Sequence, residues 1–301
     1  MELSRKDFLK ASAGAVGLML LQPPPLALAK ESQIREGVAM LVDVTKCVSC
    51  WWCYAACKNY NKLPETIKPD PEQPPPLSPD VWTTLKPIKK DTEWHSRKQA
   101  CNHCTDAACV EVCPTGALSY NELGFVQYDK EKCSGCGYCV EFCPFGVPQL
   151  QSDEITNVAM NKCTFCKDRV DNGEQPACAA ACPTGAIKFG KRDELVQEGR
   201  ERVAVLRQTN ASAVFYGDKE LGGLHVMYVL DDTPEVYGLP ADPEVPAAAL
   251  VRDVLKWVGV GAAIAAVAGF GLNYIIAREA ILTNQLPGKE YIQKKDKKGN
   301  D

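Results

Sequence analysis

An α+β fold of two cysteine-rich modules, one inserted in the other, followed by one transmembrane helix, is what this sequence predicts. Three observations lead there. All sixteen cysteines fall into four tight quartets. One cysteine-bearing stretch recurs: Ala108-Cys-Val-Glu-Val-Cys-Pro-Thr-Gly-Ala-Leu118 is echoed by Ala177-Cys-Ala-Ala-Ala-Cys-Pro-Thr-Gly-Ala-Ile187, and self-similarity on this scale marks a duplicated unit. Finally, an apolar run from Trp257 to Ala277 stands outside the cysteine region.

The quartets are Cys47, Cys50, Cys53, Cys57; Cys101, Cys104, Cys109, Cys113; Cys133, Cys136, Cys139, Cys143; and Cys163, Cys166, Cys178, Cys182. The third is C-x2-C-x2-C-x3-C followed by Pro144, the bacterial ferredoxin run, in which three thiolates hold one cluster and the fourth reaches a second. The second stretches one gap to x4 and the fourth stretches it to x11, each ending in Cys-Pro, whereas the first is followed by Lys58. A C-x2-C-x2-C loop can curl around one cluster, and proline after the last cysteine stops a helix or strand from continuing. Zinc closes at four ligands and gives no reason for a third cysteine two residues on. A disulfide framework suits small secreted domains, whereas 301 residues can bury a substantial core. The reading is four iron–sulfur clusters forming an electron wire, with quartets two and three in one ferredoxin-like module and quartets one and four in the other. Each module holds two 4Fe–4S clusters.

Taken along the chain, residues 1–29 have a signal-peptide layout: a charged start, an apolar stretch from Ala11 to Leu21 and a small-x-small site at Ala27-Leu-Ala29. Ser4-Arg-Lys-Asp-Phe-Leu-Lys10 resembles the twin-arginine export motif with Lys6 in place of the second arginine. That route carries folded proteins, so clusters would be inserted before export. The lysine leaves open a weaker autonomous signal or export with a partner. Residues 38–95 form the first part of the outer module, with a strand at Val38–Val44. The eight prolines between Leu63 and Pro87 predict an extended loop. Residues 96–155 form the inserted module, with a short strand at Phe125–Tyr128. Residues 156–245 complete the outer module, with strands at Ile187–Phe189 and Leu224–Leu230 and helical spacing from Arg192 to Leu206.

Residues 251–278 are the anchor. At 1.5 Å per residue the apolar run reaches about 30 Å, a bilayer's hydrocarbon thickness, and its many Gly and Ala residues suit close packing against a partner's helices. The tail at 279–301 holds Lys289, Lys294, Lys295, Lys297 and Lys298, and basic excess marks the cytoplasmic side. The cluster region is then expected on the outer face of the cytoplasmic membrane. A formal net charge of −4 offers no basic footprint for nucleic acid. No phosphate loop, hydrolase triplet or substrate motif suggests catalysis by this chain.

Other residues admit two roles. His103 could hydrogen-bond a cluster sulfur or simply occupy its loop or meet a partner. Trp51 and Trp52 could shield a cluster, contact a partner or pack. Lys162, Lys167 and Arg169 could raise a cluster potential or be solvated.

The chain resembles the iron–sulfur (β) subunits of membrane-bound respiratory oxidoreductases, nearest to those of formate dehydrogenase and hydrogenase-2. The likeness is carried by the quartet order, Cys163-Thr-Phe-Cys166-Lys-Asp-Arg169, Gly185-Ala-Ile-Lys-Phe-Gly190, Gly222-Gly-Leu-His-Val-Met-Tyr-Val-Leu230 and Tyr237-Gly-Leu-Pro-Ala-Asp-Pro243 leading to one helix. It implies crossed ligation: Cys47, Cys50, Cys53 with Cys182; Cys57 with Cys163, Cys166, Cys178; Cys101, Cys104, Cys109 with Cys143; and Cys113 with Cys133, Cys136, Cys139. It also implies a molybdopterin formate dehydrogenase or nickel–iron hydrogenase as catalytic partner, and a cytochrome b or quinone-reducing subunit in the membrane.

Overall fold

The computed structural model describes residues 37–64, 69–70, 73–90, 93–152 and 158–282. The expected export signal and nearly all of the basic tail lie outside the described residues. Described residues up to Ala249 form one compact unit, and those from Leu250 form another.

The first unit is organised by a four-stranded sheet. β1 (Val38–Asp43) and β10 (Val226–Leu230) run parallel in its centre, with Met40 opposite Val226. β8 (Ile187–Lys191) flanks β1 antiparallel, and β9 (Val214–Tyr216) flanks β10 antiparallel. Both faces of the central strands are covered, which is why each reads as an unbroken apolar run. Alternation divides their side chains. Ala39, Leu41, Met227 and Val229 pack with Leu195, Val196 and Val203 of α6 (Arg192–Leu206). Met40, Val42, Val226, Tyr228 and Leu230 turn the other way, into a core shared with Cys53, Cys178, Phe125 and Phe165. One sheet face therefore stacks on a helix, and the other is the floor beneath cysteine-bearing loops.

Three hairpins complete the strands: β2 (Thr84–Lys90) with β3 (Glu93–Gln99), β4 (Leu118–Tyr120) with β5 (Val126–Tyr128), and β6 (Gln149–Ser152) with β7 (Val158–Asn161). The first corrects the expected loop, because Thr84 to Pro87 are strand. Both strands of a two-stranded hairpin are edges, where proline is tolerated, and Pro87 sits opposite Ser96. The helices that follow cysteine loops are short: α1 (Trp52–Tyr60), α2 (Ala108–Glu111), α3 (Tyr138–Glu141), α4 (Lys167–Asp171) and α5 (Ala177–Ala180).

The described part of the second unit is the helix α7 (Ala247–Leu282) from Leu250 onward, and α7 is longer than the apolar run alone because helix extends into the flanks. Val258–Glu279 is long and apolar enough to cross a membrane, and every side chain in that stretch is exposed.

Candidate metal centres

The four cysteine loops share one backbone device. The residue two positions after the first cysteine has positive φ in every quartet: Ser49 (55°), His103 (47°), Gly135 (67°) and Phe165 (61°). This left-handed turn folds the backbone so that amides face inward, as in an anion-binding nest. In each loop the amide of that residue points at the first sulfur, Ser49 to Cys47, His103 to Cys101, Gly135 to Cys133 and Phe165 to Cys163.

Entry to two loops is also repeated. Asp43 and Asp129 each stand four residues before a first cysteine and cap a 3-10 turn, accepting from the amides of Thr45 and Glu131 at 3.0 and 3.1 Å. Exit depends on proline. α2, α3 and α5 stop after four residues, just ahead of a Cys-Pro pair. After Cys57 no proline intervenes, so α1 runs on to Tyr60. Lys58, in proline's place, is buried and donates to the carbonyls of Pro64 and Asp80.

The tertiary fold groups the cysteines across quartets. Cys47, Cys50, Cys53 and Cys182 line one cavity. Cys57, Cys163, Cys166 and Cys178 line a second, and Cys113, Cys133, Cys136 and Cys139 a third. Cys104 interacts electrostatically with Cys101, Cys143 and Cys109, which makes a fourth group. Pairing of β1 with β8 is what carries Cys182 back to the loop that follows β1. Neighbouring groups are within electrostatic reach of each other through Cys53 and Cys178, Cys101 and Cys163, and Cys109 and Cys139. The four groups thus stand in file. Cys50 and Cys136, in the first and last of them, are exposed, while all four cysteines of the second are buried.

The donor chemistry fits iron–sulfur clusters. All sixteen cysteines are free of disulfides. Among the described residues no three His, Cys, Asp or Glu side chains converge as tightly as one metal ion needs. The sulfurs ring spaces instead, which suits a multi-iron core and not a tetrahedral zinc site. As bare thiols they are badly placed. Burial pushes Cys53 and Cys166 up to about 12 and Cys101 up to about 11. A bound metal core deprotonates such thiols outright. Cys113 and Cys133 differ: burial would raise them, but amide and side-chain donors outweigh it and hold both below the ordinary thiol value. Thr115 and Thr184, each two residues past a cysteine in the repeated Cys-Pro-Thr, lie 3.7 and 3.8 Å from the sulfurs of Cys113 and Cys182.

The accessory residues sort differently from their sequence neighbourhood. His103 is fully buried, its Nδ1 3.1 Å from the Val126 carbonyl and its ring edge-on to Phe125 and Phe165. Its ring belongs to the core, with Nε2 unpartnered, and only its backbone amide points at the Cys101 sulfur. Trp51 packs edge-on against Tyr54, whereas Trp52 is exposed. Lys167 and Arg169 make surface ion pairs with Asp171 and Glu174. Lys162 is buried and its charge acts on Cys101, Cys109 and Cys143. Sequence reasoning passed over Lys98, a fully buried lysine lining the first cavity. The only hint was a lysine in a strand three residues ahead of Cys101.

Loops and cavities of this kind define an iron–sulfur protein of the dicluster class. Residues 46–117 and 92–192 each match the 4Fe-4S dicluster domain family. Over 291 residues, 91% of this chain and 94% of the relative, the sequence is 36% identical to the nitrate-inducible formate dehydrogenase iron–sulfur subunit of Escherichia coli K12. It is 38% identical to the formate dehydrogenase-O iron–sulfur subunit of the same strain, covering 84% of each chain. The hydrogenase-2 operon protein HybA of E. coli O157:H7 is 34% identical, covering 79% of this chain and 84% of that one. The chain belongs to the family of formate dehydrogenase and hydrogenase-2 iron–sulfur subunits, electron-transfer components and not catalytic ones.

Proposed function

We propose that this chain relays electrons through four 4Fe–4S clusters from a catalytic formate dehydrogenase subunit on the outer face of the membrane to a cytochrome b or quinone-reducing subunit within it. Each cluster supplies a one-electron couple tuned by charge, hydrogen bonds and solvent exposure. The chain's residues do the rest. Cys47, Cys50, Cys53 and Cys182 would hold the first cluster, and Cys57, Cys163, Cys166 and Cys178 the second. Cys101, Cys104, Cys109 and Cys143 would hold the third, and Cys113, Cys133, Cys136 and Cys139 the fourth. The observation that carries this reading is the file of four cysteine groups with exposed sulfurs in the first and last. It also supports the nested arrangement, one module spanning residues 38–95 and 156–245 and the other 96–155.

Residues 1–29 would direct export of the loaded chain, 251–278 would anchor it, and 279–301 would remain cytoplasmic. HybA similarity and an N-terminal signal favour a second reading, the same relay beside a nickel–iron hydrogenase.

The test is to purify the complex anaerobically from native membranes and assay dye reduction with formate and with hydrogen. Formate activity supports the first reading, hydrogen activity the second, and neither refutes both. Cys136→Ala should remove one cluster and abolish most quinone reduction while dye reduction at the catalytic subunit persists. Equal loss of both activities in an assembled complex would contradict a pure relay.

A further inference from the structure

β3 carries two adjacent buried cations, Arg97 and Lys98, whose side chains alternate across the strand. Arg97 is satisfied: its Nε donates to the Tyr237 carbonyl at 2.8 Å and its guanidinium lies over the Tyr228 ring. Lys98 is different. It is 1% exposed and lines the cavity of Cys47, Cys50, Cys53 and Cys182. Its Nζ has no hydrogen-bond partner. Its charge acts on Cys53 of that cavity and also on Cys57, Cys166 and Cys178 of the next. The ammonium therefore lies between two cysteine groups and serves no hydrogen-bonding role of its own.

An unpaired buried ammonium is strongly disfavoured and ordinarily sheds its proton. Here the groups placed to balance that charge are the sulfurs of the cavity it lines and those of Cys178 and Cys163 in the next. Packing alone does not call for a lysine at this point, since a methionine fills the same kind of space. The other sites are built differently. Lys162 also lies by a cysteine group, but its Nζ is held by the carbonyls of Val126 and Cys163 at 3.1 and 3.0 Å. The groups acting most strongly on Cys113, Cys133 and Cys139 include no cation.

We propose that Lys98 is a counter-ion shared by the sites at Cys47/Cys50/Cys53/Cys182 and Cys57/Cys163/Cys166/Cys178, raising the reduction potential of both. The proposal rests on the cluster assignment given above. When such a site takes up one electron from the donor subunit its charge becomes one unit more negative and no proton moves, so a fixed cation nearby favours the reduced form. A unit charge about 10 Å away, at an effective dielectric of about 20, shifts a one-electron equilibrium roughly tenfold or more.

The experiment is a potentiometric titration followed by EPR on the whole complex, with iron and acid-labile sulfide determined per chain, for wild type, Lys98→Met and Lys98→Arg. Lys98→Met should keep wild-type iron and move two couples to lower potential, each at least tenfold in its reduced-to-oxidised ratio, which is about 59 mV for one electron. The other two should stay in place, and Lys98→Arg should leave all four near wild type. Loss of iron in Lys98→Met but not in Lys98→Arg also supports a counter-ion. Full iron with no couple moved, an equal shift of every couple, or iron loss in both variants would overturn it. Wild-type iron content reads the cluster assignment separately: iron for fewer than four clusters refutes that assignment, while the couples that are present still decide the role of Lys98.

Discussion

Replacing Gly135 by alanine should cost the site at Cys113, Cys133, Cys136 and Cys139 its integrity, and the structure gives the size of the effect. Gly135 lies between Cys133 and Cys136 with φ +67°. A Cβ there would stand 2.4 Å from the Val158 carbonyl oxygen and 2.7 Å from the Val158 Cβ, at the first residue of β7. A backbone oxygen cannot rotate aside, so the cysteine loop or the strand must shift. The left-handed conformation costs a side-chain-bearing residue about 1–2 kcal/mol, and relieving an overpacked contact adds about 1–3 kcal/mol. Gly116 separates the two contributions, since its φ is +66° but nothing lies within 4 Å of its would-be Cβ. Gly116→Ala should therefore show only the conformational cost. The assay is iron per chain in the anaerobically purified complex, with the temperature at which visible cluster absorbance is lost. Gly116→Ala should keep full iron with a slightly lower temperature. Gly135→Ala should lose about a quarter of the iron, one site in the four assigned above, or lose absorbance well below Gly116→Ala. Full iron and the same temperature in both variants would refute the contact argument.

Two other outcomes follow from the membrane segment and from the buried thiols. Val267→Arg places a charge at a 73% exposed position near the middle of the apolar stretch of α7. Its insertion cost of about 2.5–3.5 kcal/mol should move chain from the membrane to the soluble fraction with cluster content unchanged; unchanged membrane fractionation would argue against an anchor. Iron-free chain, prepared with a chelator, should lose stability in alkali. Burial raises Cys53, Cys166 and Cys101 to about 12, 12 and 11, whereas unfolded thiols ionise near about 8.5. Raised thiols contribute stability that is intact below the unfolded value and lost as pH rises through the folded one. Urea midpoints of the iron-free chain should fall from neutral pH to about pH 10, and equal midpoints would contradict the burial assigned to these sulfurs.

Much of the sheet and helix pattern was legible because it depends on local signals. β1, β5, β8, β10 and α6 lie where apolar runs and helical spacing place them. β2 and β3 were not legible, since proline density argued for loop and only pairing with Glu93–Gln99 makes Thr84–Lys90 a strand. His103 occupies its cysteine loop, one of the roles the sequence left open, but the burial of its ring was not legible. Its neighbours in sequence are two cysteines, but its neighbours in space are Phe125, Phe165 and the Val126 carbonyl.

Sequence by itself determined the chemistry: sixteen cysteines at cluster spacing, a repeated Cys-Pro-Thr-Gly unit and one apolar segment of bilayer length. These are local properties, set by how far a loop of two or three residues can reach. Motif spacing left open which cysteines share a cavity, a grouping only the family resemblance implied; the tertiary structure brings those cysteines together and places a cation between two of the groups. Cys182 joins Cys47, 135 positions earlier, because β8 pairs with β1, Ile187 standing opposite Val42. Lys98 meets the sulfurs because β3 turns that face inward while Arg97 turns away. Contacts across such separations come from packing, so spacing within a motif carries no trace of them.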